Sequence, residues 1–349
     1  MESHQNNFSF PQSVLPEPAL LPASHPPVLI VVVDTEEEFD WSRPFSRSST
    51  STESLNNLHL LQDLMDSFDV QPVYVIDYPI VEHRASENPL LEFQRDRGAE
   101  IGLHLHPWVS PPHAESVNTI NSFASNLPMD LERKKIQTLA KRMTESLGFQ
   151  PQVYKAGRYG IGPNTPQVLE EEGFLVDLSP CAAFDFSGEG GPDFSATPPD
   201  PVWFGVSRDL LSIPASGAVV GPLGYYGERL FWAAENGSLL TNRLTGLLSR
   251  LRIVDRLHLS PEGYTSTDHF RLTRFLFNRG IRVFTFSLHS PSLLPGCTPY
   301  VKTAKQLQEL LESCRRYLDF FLNELKGIAM TATALRERVL KISPRRQCE

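Results

Sequence analysis

The sequence predicts an α/β fold in which helices cover a parallel sheet, and three observations lead to this prediction. Short apolar segments alternate along the chain with segments of helical periodicity. The first apolar segment, Val28–Val33, is apolar on both faces, as expected of a buried parallel strand. Acidic residues, histidines or an arginine follow directly after several of these segments. Because reacting groups lie at that end of the strands in parallel folds, these residues are candidates for a functional site.

Strands and helices are expected in alternation from residue 28 onwards. The strands are placed at 28–33, 73–76, 100–105, 153–156, 174–178 and 282–287. The helices are placed at 55–68, 89–97, 131–147, 163–172, 239–253, 266–279 and 304–326. In these helices apolar residues recur every three or four positions, as from Leu55 to Leu64, and Pro163 stands near the first turn of its helix. Such alternation is typical of parallel βαβ units.

The chain of 349 residues is long enough for one large domain. Residues 1–26 are rich in Ser, Pro, His and Asn and show no periodicity, so we expect a disordered extension there. Residues 27–300 are expected to form the β/α domain, and residues 301–349 a helical segment packed on it. The stretch 184–206 is rich in Gly, Pro, Asp and aromatic residues and is expected to be a long loop that shapes substrate choice.

Composition excludes several classes of function. The formal net charge of −9 argues against a nucleic-acid partner. No apolar run reaches the ~18–20 residues of a membrane span, and no basic region followed by an apolar core marks a secretory signal. Four cysteines without a CxxC spacing argue against a disulfide framework or a cysteine zinc site. We therefore expect a cytoplasmic protein, and the sequence leaves its oligomeric state open.

The strongest functional signal is the His-X-His pair at the end of the third strand. Residues two apart in an extended segment project to the same face, so His104 and His106 can bind one divalent metal. Imidazole suits zinc, with cobalt and nickel as other options, and a carboxylate completes a three-ligand site. We take Glu36 as the third ligand and Asp34 as the general base, with Glu37 as an alternative. Two histidines that bind nothing are the competing interpretation, which the other strand ends disfavour.

Further polar residues follow the later strands. Arg158, flanked by glycines, is predicted to orient Asp34 or to lower the pKa of its carboxyl group. Tyr159 can contribute a backbone N–H to an oxyanion hole. His289 is predicted to be the general acid that protonates the leaving group. Asp177 is predicted to orient His289 or Arg158, or merely to cap a turn.

Two further histidines and three of the four tryptophans receive weaker predictions. His258 and His269 are expected to be structural. Trp41, Trp108 and Trp203 are predicted to line a groove that binds a sugar, although aromatic residues more often belong to the core.

Four motifs together resemble the NodB-type polysaccharide deacetylases, which are carbohydrate esterase 4-like, and within them a bacterial branch associated with exopolysaccharides. The motifs are Asp-X-Glu at 34–36, Glu-Ile-Gly-X-His-X-His-Pro at 100–107, Gly-Arg at 157–158 and Leu-His-Ser-Pro at 288–291. The resemblance covers roughly residues 28–300. It implies a distorted (β/α)7 barrel with C-terminal helices, a single divalent metal, and hydrolysis of N- or O-acetyl groups on carbohydrates.

The resemblance also implies residue roles. It puts the base on Asp34, the metal on His104, His106 and an acidic residue near Glu36, and the acid on His289, with the arginine of Gly-Arg tuning the base. The sequence departs from the family pattern at three places. The two acidic residues are not adjacent, the histidines are separated by one residue rather than three, and a serine follows the last histidine where the family usually has an aspartate.

The sequence therefore predicts a metal-dependent hydrolase that removes an acyl group from a carbohydrate. One alternative is a metal-dependent amidohydrolase that acts on a small amide, such as a cyclic amide. Another is an inactive barrel that binds a carbohydrate without metal. A glycosidase using Glu36 and Glu38 would leave no role for the histidine pair.

Overall fold

The computed structural model describes residues 16–83, 89–221 and 254–342. The strands are β1 (Glu17–Pro18), β2 (Val28–Thr35), β3 (Val73–Ile76), β4 (Glu100–Leu105), β5 (Val153–Ala156), β6 (Val176–Asp177), β7 (Val202–Phe204), β8 (Leu210–Ser212), β9 (Gly217–Val220), β10 (Asp255–His258), β11 (Val283–His289) and β12 (Ile328–Ala329). The helices are α1 (Leu58–Asp66), α2 (Tyr78–Glu82), α3 (Leu90–Arg97), α4 (Met129–Leu147), α5 (Thr165–Glu171), α6 (Ser266–Asn278), α7 (Ala304–Asp319) and α8 (Ala332–Ile342). The helix expected at 239–253 lies outside the described residues.

The main sheet runs in the order β1-β7-β8-β6-β5-β4-β3-β2-β11. From β8 to β11 all neighbouring strands pair in parallel, whereas β1, β7 and β8 pair antiparallel. The predicted α/β fold with a parallel sheet is therefore confirmed. Among the described residues, the short strands β1, β7, β8, β9, β10 and β12 were not predicted, because two to four residues outside the regular alternation of strands and helices carry too little periodicity to be recognised.

The two edges of the parallel run approach each other through irregular backbone. The hydroxyl of Thr285 on β11 donates to the carbonyl of Pro214, just after β8, at 3.0 Å. The amide of Ser287 on β11 donates to the carbonyl of Leu259, whose own amide donates to the carbonyl of Ser216. These bonds replace a regular ladder between β8 and β11, as expected of a distorted barrel.

Alternation along the strands gives the sheet an inner and an outer face. On β2, Leu29, Val31 and Val33 share one apolar cluster with residues of the covering helices, such as Leu58 and Leu61. Val28, Ile30 and Val32 belong to a second cluster, formed by the opposite faces of the parallel strands. Because side chains alternate along a strand, a polar residue two positions beyond an inner apolar residue also faces inward.

The C-terminal segment covers the amino ends of the strands. β12 pairs with the start of β2, and Ala332, Leu335 and Val339 of α8 join the inner apolar cluster. The amide of Ala332 donates to the carboxylate of Glu100, at the start of β4, at 2.7 Å. The inner core is therefore closed at this end. At the carboxyl ends of the strands, the residues on the same inner face are polar.

Part of the predicted N-terminal extension is held on the sheet. β1 pairs with β7, and Ala19 and Leu21 are buried. The prediction of disorder over residues 1–26 therefore differs from the structure between residues 16 and 26. Two buried apolar residues and one short ladder anchor this stretch, and a composition argument does not detect them. Among the described residues, no helix is long and apolar enough to cross a lipid bilayer.

Candidate metal centre and catalytic site

The carboxyl ends of the parallel strands surround a cavity of about 450 Å³. Its polar residues include Asp34, Glu36, His104, His106, Lys155, Arg158, His258, Glu262 and His289. Its aromatic residues are Phe39, Trp41, Phe45, Tyr159, Phe184, Phe186, Tyr264 and Tyr300. Several of the polar residues continue inner rows of the strands, which is why alternation brings them to one place.

Glu36, His104 and His106 form a buried cluster whose ligand atoms converge. Glu36 Oε2 lies 3.4 Å from His104 Nε2 and 3.3 Å from His106 Nε2. Ligand atoms around a tetrahedral zinc, with bonds of about 2.0–2.2 Å, are themselves separated by roughly 3.3–3.5 Å. The amide of Glu36 donates to the hydroxyl of Ser290, which connects this ligand to the residue after His289.

The hydrogen bonds of this cluster fit a bound cation. His104 Nδ1 lies 3.1 Å from the carbonyl of Lys155, which only accepts, so this nitrogen carries the proton and Nε2 presents a lone pair. Burial lowers the pKa of His104, which keeps the ring neutral. The other oxygen of Glu36, Oε1, is buried without a hydrogen-bond partner. A lone pair facing a carboxylate, beside an unpartnered carboxylate oxygen, is the arrangement that a divalent cation would stabilise.

Behind His106 lies a layer of carboxyl groups. His106 Nδ1 is 2.8 Å from Glu37 Oε2, and the indole N–H of Trp108 donates to Glu37 Oε1 at 2.7 Å. The amide of Glu37 donates to the carboxyl group of Asp77. Burial and the neighbouring Glu37 raise the pKa of Asp77 well above its ordinary value. Glu37 therefore orients His106 from behind, a common arrangement for metal-binding histidines.

Asp34 is held by a lysine. The ammonium group of Lys155 donates to both carboxylate oxygens of Asp34 at 2.6 Å. Burial alone would raise the pKa of Asp34, but electrostatic attraction to Lys155, together with smaller contributions from His104 and His289, outweighs that effect and lowers the pKa. Asp34 is therefore ionised and can accept a proton.

His289 faces Asp34 from the end of β11, with Nε2 at 3.7 Å from Asp34 Oδ2. Its other nitrogen, Nδ1, lies 2.6 Å from the carboxylate of Glu262. Burial alone would lower the pKa of His289, but the charge of Glu262 and its hydrogen bond, together with the charges of Glu36 and Asp34, outweigh that effect and raise the pKa to about 10. His289 is therefore protonated at neutral pH and can donate from Nε2.

The structure places Arg158 differently from the prediction. Its guanidinium pairs with Glu189 and donates to the hydroxyl of Ser122, while Lys155 occupies the place beside Asp34. The reason is alternation, since Lys155 continues the inner row of Val153 on β5, whereas Arg158 follows after the strand has ended. Arg158 still lines the cavity.

Asp177 does not orient His289 or Arg158. It accepts hydrogen bonds from the amide and hydroxyl of Ser179 and from the hydroxyl of Ser212, and it does not line the cavity. Its neighbour Val176 belongs to the inner cluster, so alternation turns Asp177 to the outer face. Burial raises the pKa of Asp177 to about 6.

Of the three tryptophans predicted to line a sugar-binding groove, one lies in the cavity and two do not. Trp41 lines the cavity, and its ring lies edge-on to the ring of His289 at 5.4 Å. Trp108 is buried behind His106, and Trp203 is buried on β7, so neither lines the cavity. Both are large apolar side chains whose burial in the core outweighs exposure in a groove. Tyr159 lines the cavity with its ring stacked on Phe186.

Lys155, Glu262 and His258 are among the cavity residues that were not predicted as functional. Lys155 lies two residues beyond the inner apolar residue Val153 on β5, so alternation along the strand would have indicated it. Glu262 lies between β10 and α6, in a segment without a strand pattern, so no sequence signal indicated it. His258, expected to be structural, ends β10 and lines the cavity, whereas His269 is buried and hydrogen-bonded to the carbonyl of Ser260.

Comparisons with known proteins show that solved structures share the fold of this chain. No protein-family model matched the sequence, and a search of curated proteins gave no match either. A candidate polysaccharide deacetylase from Mycobacterium smegmatis is similar in structure, with 16% identity, a TM-score of 0.52, and 95% of this chain and 97% of that chain covered. A PuuE allantoinase gives 14% identity and a TM-score of 0.54, with 91% and 92% covered. A candidate glycoside hydrolase/deacetylase from Parabacteroides distasonis gives 10% identity and a TM-score of 0.55, with 91% and 71% covered. The chain therefore has the fold of the polysaccharide deacetylases.

Proposed function

We propose that the protein is a metal-dependent hydrolase that removes an N- or O-linked acetyl group from a carbohydrate. One observation carries this proposal. A buried Glu–His–His cluster lies in one cavity with an ionised carboxylate, Asp34, and a protonated imidazole, His289. Acyl transfer to water needs these three components, namely an electrophilic centre, a base and an acid.

Glu36, His104 and His106 would hold the divalent metal. Zinc is the metal we favour, with cobalt and nickel as alternatives, because imidazole and carboxylate suit all three. When bound, such a metal acts as a Lewis acid toward the acyl carbonyl and lowers the pKa of water.

Asp34 and Lys155 supply the base. The carboxylate of Asp34 takes the proton of the attacking water, and Lys155 keeps this carboxylate ionised and fixed in position. We propose that the backbone N–H of Tyr159 contributes to holding the oxyanion of the tetrahedral intermediate.

His289 and Glu262 supply the acid. His289 Nε2 gives its proton to the leaving nitrogen or oxygen, while Glu262 holds Nδ1 and so fixes the orientation of the ring. The distance of 3.7 Å between His289 Nε2 and Asp34 Oδ2 supports this assignment, because acid and base would then act on the same acyl group.

A second candidate function is hydrolysis of a small amide on the same scaffold. Two observations favour it. Only Trp41 of the three tryptophans predicted to line a sugar-binding groove lines the cavity, so fewer tryptophans than predicted are available to stack on a sugar. One structure of similar fold is an allantoinase. Both candidates use the same base, acid and metal ligands and differ in the substrate.

The test combines metal content with product release. Purified wild type is expected to contain about one divalent metal per chain by elemental mass spectrometry, and His104→Ala/His106→Ala to contain none. His59→Ala, an exposed histidine on α1, is the matched control and should retain the metal. The metal-loaded wild type should release acetate from N-acetylated or O-acetylated sugars. Turnover of cyclic amides alone would select the second candidate, and absence of metal in every protein after loading would refute both.

A further inference from the structure

Arg158 is a charged residue of the cavity wall that the proposed reaction does not use. Its guanidinium lies over the ring of Phe123, 4.0 Å from the centroid, and 5.1 Å from the centroid of Phe45. Its Nη1 donates to the hydroxyl of Ser122 at 2.5 Å and to the carbonyl of Thr119 at 3.5 Å. Two rings and two neutral acceptors therefore hold the cation in place, independently of any carboxylate.

The backbone that carries Arg158 has an unfavourable conformation. Arg158 and Tyr159 both have left-handed backbones, with φ of 55° and 59°. A Cβ atom at Gly157 would lie 2.3 Å from a ring carbon of His106, so the turn packs directly against a proposed metal ligand. Such strain in non-glycine residues persists where the surrounding structure fixes it, and it is concentrated at functional sites.

The carboxylate that pairs with Arg158 is held less firmly than the cation. Arg158 Nη2 contacts Glu189, whose side chain is 63% exposed while that of Arg158 is 21% exposed. Glu189 ends the short turn Ser187–Glu189 and lines the mouth of the same cavity. Because a pair with a solvent-exposed carboxylate contributes little, a second carboxylate can replace Glu189 at small cost.

We propose that Arg158 is the counter-ion for a carboxylate on the substrate, which displaces Glu189 as it enters the cavity. This proposal rests on the proposed function and narrows its substrate class to acidic N-acylated or O-acylated sugars. A planar guanidinium binds a carboxylate through two parallel hydrogen bonds, and that of Arg158 lies in the cavity wall with Nη2 directed at the exposed Glu189.

The position of Arg158 also fixes the direction of the substrate. Phe45, beneath the guanidinium, packs on Trp108, which stacks on His106, so Arg158 lies on the His106 side of the cavity. His289 and Trp41 lie together on another part of the wall. A bound substrate would therefore extend from Arg158 across the Glu–His–His cluster to His289. The carboxylate can belong to the sugar or to the acyl group.

The experiment uses two pairs of probes that differ only in charge. The first pair is 2-acetamido-2-deoxyglucuronic acid and its methyl ester, with the carboxylate on the sugar. The second is N-succinylglucosamine and its methyl ester, with the carboxylate on the acyl group. Dissociation constants are measured by calorimetry on the chelator-treated full chain, where binding does not depend on turnover. Acyl release by the zinc-loaded protein is then measured separately.

The wild type should bind at least one acid about tenfold more tightly than its ester. Arg158→Gln should abolish this preference, and Arg158→Lys should retain part of it, because the charge remains without the planar fork. Glu189→Gln should tighten binding of the acid about threefold and leave the ester unchanged. Arg133→Gln, which removes an arginine paired with Glu171 outside the cavity, is the control and should change nothing.

Equal affinity of wild type for acid and ester in both pairs would overturn the proposal, as would a preference that survives in Arg158→Gln. If Arg158→Gln does not fold, the effect of Glu189→Gln decides, because this side chain is mostly exposed. The proposed hydrolase activity and the proposed carboxylate site can be refuted independently of each other. A charge preference without acyl release refutes the hydrolase but keeps the anion site, and acyl release without a charge preference does the reverse.

Discussion

The ion pair of Lys155 and Asp34 is almost fully buried, with side chains 2% and 6% exposed. Taking both charges out of water is costly, and the short bonds to both carboxylate oxygens offset that cost. Breaking such a pair by removing one partner leaves an uncompensated charge, whereas removing both charges does not. This asymmetry separates the structural role of the pair from its catalytic role.

Lys155→Met is expected to lower the free energy of unfolding by about 3 kcal/mol, because Asp34 then stays buried without the ammonium group that contacts both of its oxygens. Adding Asp34→Asn to Lys155→Met should recover most of this loss. Guanidinium unfolding of the wild type, both single variants and the double variant measures the coupling as a double-mutant cycle. Acyl release should fall at least ~10²-fold in all three variants, since Asp34 is the proposed base. Full activity of the stable double variant would show that Asp34 is not the base.

At the scale of strands, alternation explains which site predictions agree with the structure. Asp34 continues an inner row of apolar residues on β2, and His104 and His289 lie on the inner faces of β4 and β11, opposite the outer apolar rows of those strands. The same rule, applied to β5 and β6, would have selected Lys155 and rejected Asp177. Arg158 and Asp177 were predicted from their position at the ends of these strands alone, and the face of the sheet on which each side chain lies was not considered.

Residues outside the regular strands were less accessible to prediction. Glu262 reaches His289 from the segment between β10 and α6, and its contact depends on tertiary folding of a stretch without periodicity. Arg158 pairs with Glu189 across a long loop, where spacing along the chain carries no information about distance. The strands and the metal ligands follow from local patterns, but these partner choices do not.

The contact between helices α4 and α5 contains a buried carboxyl group that makes stability depend on pH. Glu132 on α4 is 1% exposed and accepts a hydrogen bond from the hydroxyl of Thr165 on α5. Burial raises the pKa of Glu132 from 4.5 to about 7. The folded state thus binds this proton more tightly than the unfolded state, so stability falls as pH rises from about 4.5 to about 7.

Glu132→Gln is expected to remove this loss, because the amide stays neutral and its oxygen still accepts from Thr165. The variant and the wild type should have similar free energies of unfolding at pH 5. At pH 8 the variant should be more stable by about 2 kcal/mol. This is less than the full pKa shift of Glu132 corresponds to, because the structure around an ionised Glu132 can relax. Asp130→Asn, on the exposed side of the same helix, should show no such difference. Urea unfolding at both pH values measures this, and a variant less stable than wild type at pH 8 would contradict it.

The whole molecule separates its stabilising core from its chemistry along the axis of the strands. At the amino ends, α8 closes the inner apolar cluster with Leu335, which is completely buried. At the carboxyl ends lie Glu36, which follows β2, and His104 and His106 at the end of β4, and a metal would join the two strand ends. Sites this far apart, without shared contacts, are expected to contribute to stability additively.

Leu335→Ala is therefore expected to lower the free energy of unfolding by about 2–5 kcal/mol through the cavity it leaves, with no change in the stabilisation by zinc. Free zinc at a hundredfold excess over its dissociation constant should add about 2.7 kcal/mol to both wild type and Leu335→Ala. His104→Ala/His106→Ala should lose this increment, and combining it with Leu335→Ala should give the sum of the separate effects. Guanidinium unfolding with zinc and with chelator measures all four proteins. If zinc stabilised Leu335→Ala less than the wild type, the inner apolar cluster beside α8 would contribute to positioning the metal ligands. A change at α8 would then reach the two histidines through the inner faces of the strands.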